Sequence, residues 1–158
     1  MRILVFSDSH GYTGNMVRAI EAGETPDLII HLGDFVKDAV KMEAAYSSIP
    51  FSYVAGNNDW SGNCPTERIL ELEGRKILLT HGHHYGVKNG IHRIVDKGLQ
   101  LGADAVLFGH THKPEESYHN GLLLLNPGSI SAPVAPNSPT YCSIEMGDQG
   151  FRVRFTAV

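Results

Sequence analysis

Apolar and polar positions fall in blocks along this chain, and the period of the blocks names the elements. Ile3-Leu4-Val5-Phe6 is a continuous apolar run closed by Ser7, Asp8 and Ser9, as a strand buried on both faces requires. A helix is predicted near residues 15–22, closed by Gly23. Leu28-Ile29-Ile30 reads as a second buried strand ending at Gly33-Asp34. Residues 36–47 read as a helix with Pro50 beyond it, and residues 51–54 as a third strand ending at Gly56. This β-α-β-α-β order predicts a largely parallel sheet with helices packed on it. The second half is richer in strands. Residues 68–72 and 76–79 flank Glu73-Gly74-Arg75, residues 115–119 and 122–125 flank Asn120-Gly121, and residues 140–146 and 151–156 flank Gly147 to Gly150, all hairpin patterns. Between the first two hairpins come an amphipathic helix over 89–101, with Ile91, Ile94, Val95 and Leu99 on one face, and a buried strand over 105–108. The sum is an α/β chain of two packed sheets with helices outside. No linker, repeat or composition shift divides it, so residues 1–158 read as one domain.

Composition narrows the class. With 42% hydrophobic and 19% charged residues, the chain is globular and not disordered. The formal net charge is −4 and no basic cluster stands out, which argues against a groove for nucleic acid. Cys64 and Cys142 form no close pair and read as reduced thiols of a cytoplasmic protein. The apolar run at residues 3–6 is too short for a signal-peptide core. No stretch approaches the roughly 18 apolar residues of a membrane span. Oligomeric state stays open, a homo-oligomer included.

The polar residues at the strand ends carry the chemistry. Ligands of open α/β sheets bind beyond the carboxyl ends of the strands, and Asp8, Asp34 and Asn57 all sit there. Asp8 and His10 stand at i and i+2, a spacing that puts both on one side of an extended strand and lets them grip one cation. The Asp34 carboxylate has lone pairs enough to bridge two cations. Asn57 offers a neutral carbonyl oxygen. His81, and the pair His110 and His112, follow further apolar runs, and imidazole is the commonest neutral ligand for transition metals. Each motif alone reads as a turn or a solvated side chain. Together they supply two carboxylates, one amide and four imidazoles, the inventory for two divalent ions sharing one carboxylate. Such a site attacks phosphate esters with metal-activated water. Of the other histidines, His31 reads as a satisfied core residue, while His84, His92 and His119 read as solvated. His83, two residues past His81, is placed to touch a substrate. Asn126-Pro127-Gly128-Ser129 reads as a tight turn or as a source of backbone N–H groups for the site.

The motif order Asp-x-His, Gly-Asp, Gly-Asn-x-Asp, His, Gly-His-x-His resembles the calcineurin-like metallophosphoesterase superfamily. The chain length and the Asn-Pro-Gly-Ser segment look like its small prokaryotic phosphodiesterase branch, and the resemblance runs from Arg2 to about Ser131. It implies a two-sheet β-sandwich flanked by helices, the αββα fold. It places a first ion on Asp8, His10, Asp34 and His112 and a second on Asp34, Asn57, His81 and His110. Mn²⁺ is the first ion implied, with Ni²⁺, Zn²⁺, Fe²⁺, Co²⁺ or Mg²⁺ as others. The activity implied is hydrolysis of a small phosphodiester by in-line attack of a metal-bridging hydroxide. Two dications set against Asp8, Asp34 and a hydroxide leave about one net positive charge, which suits a monoanionic diester better than a dianionic monoester.

Three further residues are candidates for acting on the substrate: Asn58, Asp59 and His83. Many superfamily members carry a proton-donating histidine at the position of Asn58, and an amide cannot serve as that acid. His83 is the candidate substitute. The alternatives are a phosphomonoesterase, a nucleotide pyrophosphohydrolase, or a non-catalytic scaffold like the vacuolar-sorting subunit of retromer. A scaffold has little need for seven intact ligand positions.

Overall fold

The computed structural model describes residues 1–60 and 62–158. In chain order the elements are β1 (Arg2–Phe6), α1 (Gly14–Glu21), β2 (Leu28–His31), α2 (Val36–Ala45), β3 (Phe51–Tyr53), β4 (Glu67–Leu72) and β5 (Arg75–Thr80). They continue with α3 (His92–Gln100), β6 (Ala105–Leu107), β7 (Pro114–His119), β8 (Leu122–Pro127), β9 (Thr140–Gly147) and β10 (Gly150–Ala157). One sheet has the order β10-β9-β1-β2-β3 and the other β4-β5-β6-β8-β7. Within them β1, β2 and β3 run parallel, as do β5, β6 and β8. The remaining strands pair antiparallel.

Strand alternation builds the layers. In β1, Ile3 and Val5 face the second sheet and pack with Ile30, Ile77, Leu79, Leu107, Leu125 and Ile144. Their neighbours Leu4 and Phe6 face the other way, onto Met16 and Ile20 of α1 and Met42 of α2. Both faces of β1 are therefore apolar because both are covered. On the outer face of the second sheet, Leu78, Val106, Phe108 and Leu124 pack with Ile94 of α3. The result is helices, sheet, sheet, helix: the two-sheet sandwich flanked by helices that the sequence predicts. The hairpin β4–β5 turns at Glu73-Gly74 and β7–β8 at Asn120-Gly121, with both residues of each pair at positive φ, as two-residue hairpin turns of this hand require.

The third helix departs from its predicted bounds. Short 3₁₀ turns occupy His83–Tyr85 and Val87–Asn89, and α3 starts only at His92. Leu99 is 38% exposed instead of facing the sheet. The buried face is made by Ile94 and Gly98. A Cβ at Gly98 would lie 2.6 Å from Val106 and 2.7 Å from Leu122, so glycine is what lets this helix approach the sheet. Both cysteines are free, with Cys142 in the sandwich core. Among the described residues, no helix is long and apolar enough to cross a membrane.

Candidate metal centre

The parallel strands of both sheets end at one edge of the sandwich, and six of the seven predicted ligands converge just beyond those ends. Donor atoms of Asp8, His10, Asp34 and His112 all lie within 4.8 Å of one another, and so do those of Asp34, His81 and His110. Asp34 belongs to both groups. Asp8 and His81 are fully buried and Asp34 is 2% exposed. Asn57 stands exposed in the loop after β3, beside Asn58, which reaches Asp34.

The hydrogen bonds determine which ring nitrogen faces inward. His81 Nδ1 lies 2.7 Å from the Leu32 carbonyl and His112 Nδ1 lies 2.5 Å from the Ala132 carbonyl. A carbonyl only accepts, so each Nδ1 carries the proton and each Nε2 of the neutral ring presents a lone pair. His81 Nε2 then faces His110 Nδ1 at 3.2 Å and Asp34 Oδ1 at 3.4 Å. His112 Nε2 faces Asp8 Oδ1 at 3.1 Å and His10 Nε2 at 3.4 Å. Asp8 Oδ1 is buried with no hydrogen-bond partner among the described residues. Where such a lone pair faces a carboxylate oxygen, as at His81–Asp34 and His112–Asp8, the two repel unless a proton or a cation lies between them. Two groups of converging ligand atoms, built on the buried Asp8, Asp34 and His81 and completed by half-buried histidines, are what divalent cations fit, and the carbonyl partners are the supports that metal-bound histidines use.

The convergence does not come from strand alternation. Asp8, His10, Asp34, His110 and His112 all have positive φ, between 46° and 68°. They make up five of the eight non-glycine residues in that region among the described residues. Each costs strain of order 1–3 kcal/mol, and such residues cluster at functional sites. Asp8 and His10 meet because the chain kinks at both after β1 has ended, which replaces the extended i, i+2 geometry the sequence predicts. The space is as tight as the backbone is bent. A Cβ on Gly56 would stand 2.2 Å from Asp34 Oδ1, so the Gly-Asn motif needs glycine to let the shared carboxylate in.

A second layer of contacts holds the loops. Asn58 donates from its backbone N–H to Asp34 Oδ1 at 3.0 Å and from its side chain to Oδ2 at 2.7 Å. Asp59 accepts from the N–H groups of Phe35, Val36 and Gly56; it ties the loop after β3 to the first turn of α2, and these contacts make it a positioning residue. His31 is fully buried as predicted. Its Nδ1 accepts from Gly33 N–H and its Nε2 meets Ser9 Oγ, which donates to Asp38 Oδ2. The Asn-Pro-Gly-Ser segment serves the site through side chains, not through backbone N–H groups. Asn126 donates to the Gly109 carbonyl, and the Ser129 and Ser131 hydroxyls both donate to the Asp8 carbonyl.

Electrostatics follow from burial and these neighbours. Burial alone would raise Asp8, but the adjoining His112 and His81 rings, when protonated, and the Ser7 hydroxyl hold it below its ordinary value. The Asp8 carboxylate in turn raises His112, against burial. Burial, His81 and Lys88 push His110 down to about 4, which keeps it the neutral base that metal binding needs. His83 has its Nδ1 buried without a partner among the described residues, and its ring centre lies 5.4 Å from that of His81. Burial, His84 and His81 push it down to about 4. His83 is therefore neutral at pH 7. Of the histidines read as solvated, His84 and His92 are exposed and His119 is half-buried against Ser117.

Residues 1–149 match the family model for the calcineurin-like phosphoesterase superfamily domain. The chain belongs to that superfamily. Its relatives include the probable metallophosphoesterase YsnB of Bacillus subtilis, 34% identical over 98% of this chain and 90% of that protein. A phosphodiesterase of Methanocaldococcus jannaschii is 31% identical over 81% of this chain and 83% of its own length. Among solved structures, a predicted phosphoesterase from Streptococcus pneumoniae superposes with a TM-score of 0.83 at 30% identity, covering 99% of this chain and 88% of that one. The fold is also that of Vps29 from Entamoeba histolytica, solved with zinc, at a TM-score of 0.78 and 20% identity over 99% of both chains. The chain is thus a member of a hydrolase family that works with divalent metal ions, and it carries candidate ligand groups for them.

Sequence reasoning missed the supporting residues Ser7, Ser9, Asp38 and Ser131, and it gave Asn126 a backbone role where its side chain acts. Short polar residues beside the motifs were the available signal, but except for Ser7, next to Asp8, the partners lie far along the chain, as with Ser131 on Asp8.

Proposed function

We propose that the protein is a dinuclear metal-dependent phosphodiesterase. Asp8, His10, Asp34 and His112 would hold one ion, and Asp34, Asn57, His81 and His110 the other, with Asp34 shared. The observation that carries this reading is the convergence of six ligand-type side chains in two groups that share Asp34, with Asp8 Oδ1 buried and unpartnered among the described residues. When bound, a pair of divalent ions supplies an activated water and offsets charge on the phosphoryl oxygens. The chain's own residues do the rest. Asn58 fixes the rotation of the Asp34 carboxylate through two hydrogen bonds. His81 and His112 are locked in one tautomer by backbone carbonyls. His110, neutral, stays a base.

The substrate class is a small phosphodiester, supported by the charge balance of the donor set and by the M. jannaschii relative's name. With an amide at position 58 and His83 neutral, no strong acid serves the leaving group, so leaving groups of low pKa are favoured. Mn²⁺ is the first ion to supply, and the free cysteines suit a reducing, cytoplasmic setting.

The test is hydrolysis of bis(p-nitrophenyl) phosphate against p-nitrophenyl phosphate, after EDTA treatment and after Mn²⁺ is restored. The diester is expected to be cleaved faster, only with metal, and not by Asp34→Asn or His81→Ala. Faster cleavage of the monoester would replace the diesterase with a phosphatase. Metal binding without turnover of either ester would leave a scaffold.

A further inference from the structure

Beside the metal-facing loops lies an open pocket of about 520 Å³, lined by Phe35, Lys37, Asn58, Asp59 and Trp60. Trp60 is 95% exposed and is the chain's single tryptophan. Its indole face is free to meet a planar ligand. Phe35 is held at φ 82° with its ring T-shaped against that of His10, centres 5.5 Å apart. The walls are tied to the candidate metal ligands. Asp59 binds the N–H of Phe35, and Asn58 binds Asp34. Whatever fills this pocket is thereby fixed relative to the phosphate-facing donors.

Resting on the phosphodiesterase reading above, the geometry points to a subsite for the nucleobase of a nucleotide diester, with Trp60 and Phe35 as its aromatic surfaces and Lys37 as its cationic donor. A base needs flat aromatic contact and a hydrogen-bond donor for its carbonyl or ring-nitrogen acceptors. The pocket carries both, with Asn58 itself in its wall. An aliphatic substituent would bury against the rings but leave the Lys37 ammonium without a partner. Trp60 and Lys37 therefore set which diesters bind well and have no part in the bond cleavage.

The single indole gives a readout independent of turnover. Mn²⁺-loaded protein is titrated with thymidine 5′-monophosphate and with ribose 5-phosphate, following Trp60 emission with excitation at the red edge of indole absorption. Saturable quenching is expected from the nucleotide and not from the sugar phosphate. In kinetics, Trp60→Ala is expected to lower kcat/KM for thymidine 5′-monophosphate p-nitrophenyl ester about tenfold more than for methyl p-nitrophenyl phosphate, within the range stacking supplies per base. Trp60→Phe is expected to restore most of that difference. Equal quenching by both ligands, no quenching by either, or an equal loss on both diesters would overturn the subsite. Base-specific quenching in a protein that hydrolyses no diester would support the subsite and remove the phosphodiesterase reading.

Discussion

Replacing Gly56 by alanine tests how tightly the shared carboxylate is seated. The new Cβ would stand 2.2 Å from Asp34 Oδ1, 2.5 Å from Asp34 N and 3.0 Å from Asp34 Cγ. Non-bonded heavy atoms settle at roughly 3.5 Å, so Asp34 must retreat by about 1 Å. Metal–ligand distances tolerate only about 0.2 Å. Asp34 Oδ1 also lies 3.4 Å from His81 Nε2, so the retreat opens the group that holds His81 and His110. The fold itself pays about 1–3 kcal/mol for the overpacking, while a misplacement of this size costs on the order of 100-fold in turnover. The assay pairs Mn²⁺ stoichiometry and diester turnover with urea unfolding of the metal-free protein. Gly147→Ala is the matched control, since nothing lies within 4 Å of its added Cβ and its stability should change by less than about 0.5 kcal/mol. A Gly56→Ala protein that binds two ions per chain and turns over diester undiminished would refute the seating of Asp34 against this loop.

Three further outcomes are expected. Burial pushes His31 down to about 4 from an ordinary 6.5, so below pH 6.5 the unfolded chain binds a proton the folded chain refuses. Stability should fall between pH 6.5 and pH 4 by roughly 3 kcal/mol from this residue; urea unfolding of EDTA-treated wild type and His31→Gln across that range should show a shallower slope in the variant, and equal slopes would contradict it. Asp59→Ala removes the acceptor of three backbone N–H groups and should cost about 1–3 kcal/mol in thermal or urea unfolding; an unchanged midpoint would contradict the tie. Ser129→Ala with Ser131→Ala frees the Asp8 carbonyl and should weaken Mn²⁺ binding at least about tenfold, read by calorimetry; unaltered affinity would remove these serines from the site's support.

The layers of the fold were legible because their signals are local. Ile3 to Phe6, Leu28 to Ile30 and Ala105 to Phe108 are too continuously apolar to be anything but covered strands or core helix, and their lengths and flanking turns select strands. Asn120-Gly121 and Glu73-Gly74 named their hairpins. The start of α3 was not legible, because Ile91 fits the apolar period while Gly86 and Gly90 turn the chain just ahead of it. Leu99 fits the period too, but Gly98 takes the place against the sheet. The candidate site was legible as an order of residue types at strand ends. Its backbone was not, since nothing in Asp-Ser-His announces two left-handed residues. Nor was its support, because Ser9, His31 and Asp38 meet only when β1, β2 and α2 are side by side. Nor were the partners of Asp59, because the backbone amides it accepts from belong to Phe35 and Val36 as well as to Gly56 of its own loop.

The most direct test of a two-ion centre is an anomalous diffraction map from crystals equilibrated with Mn²⁺. The account predicts two peaks roughly 3.5–4 Å apart, one among Asp8, His10, Asp34 and His112 and one among Asp34, Asn57, His81 and His110, with Asp34 touching both. A single peak, or two that do not share Asp34, would contradict it.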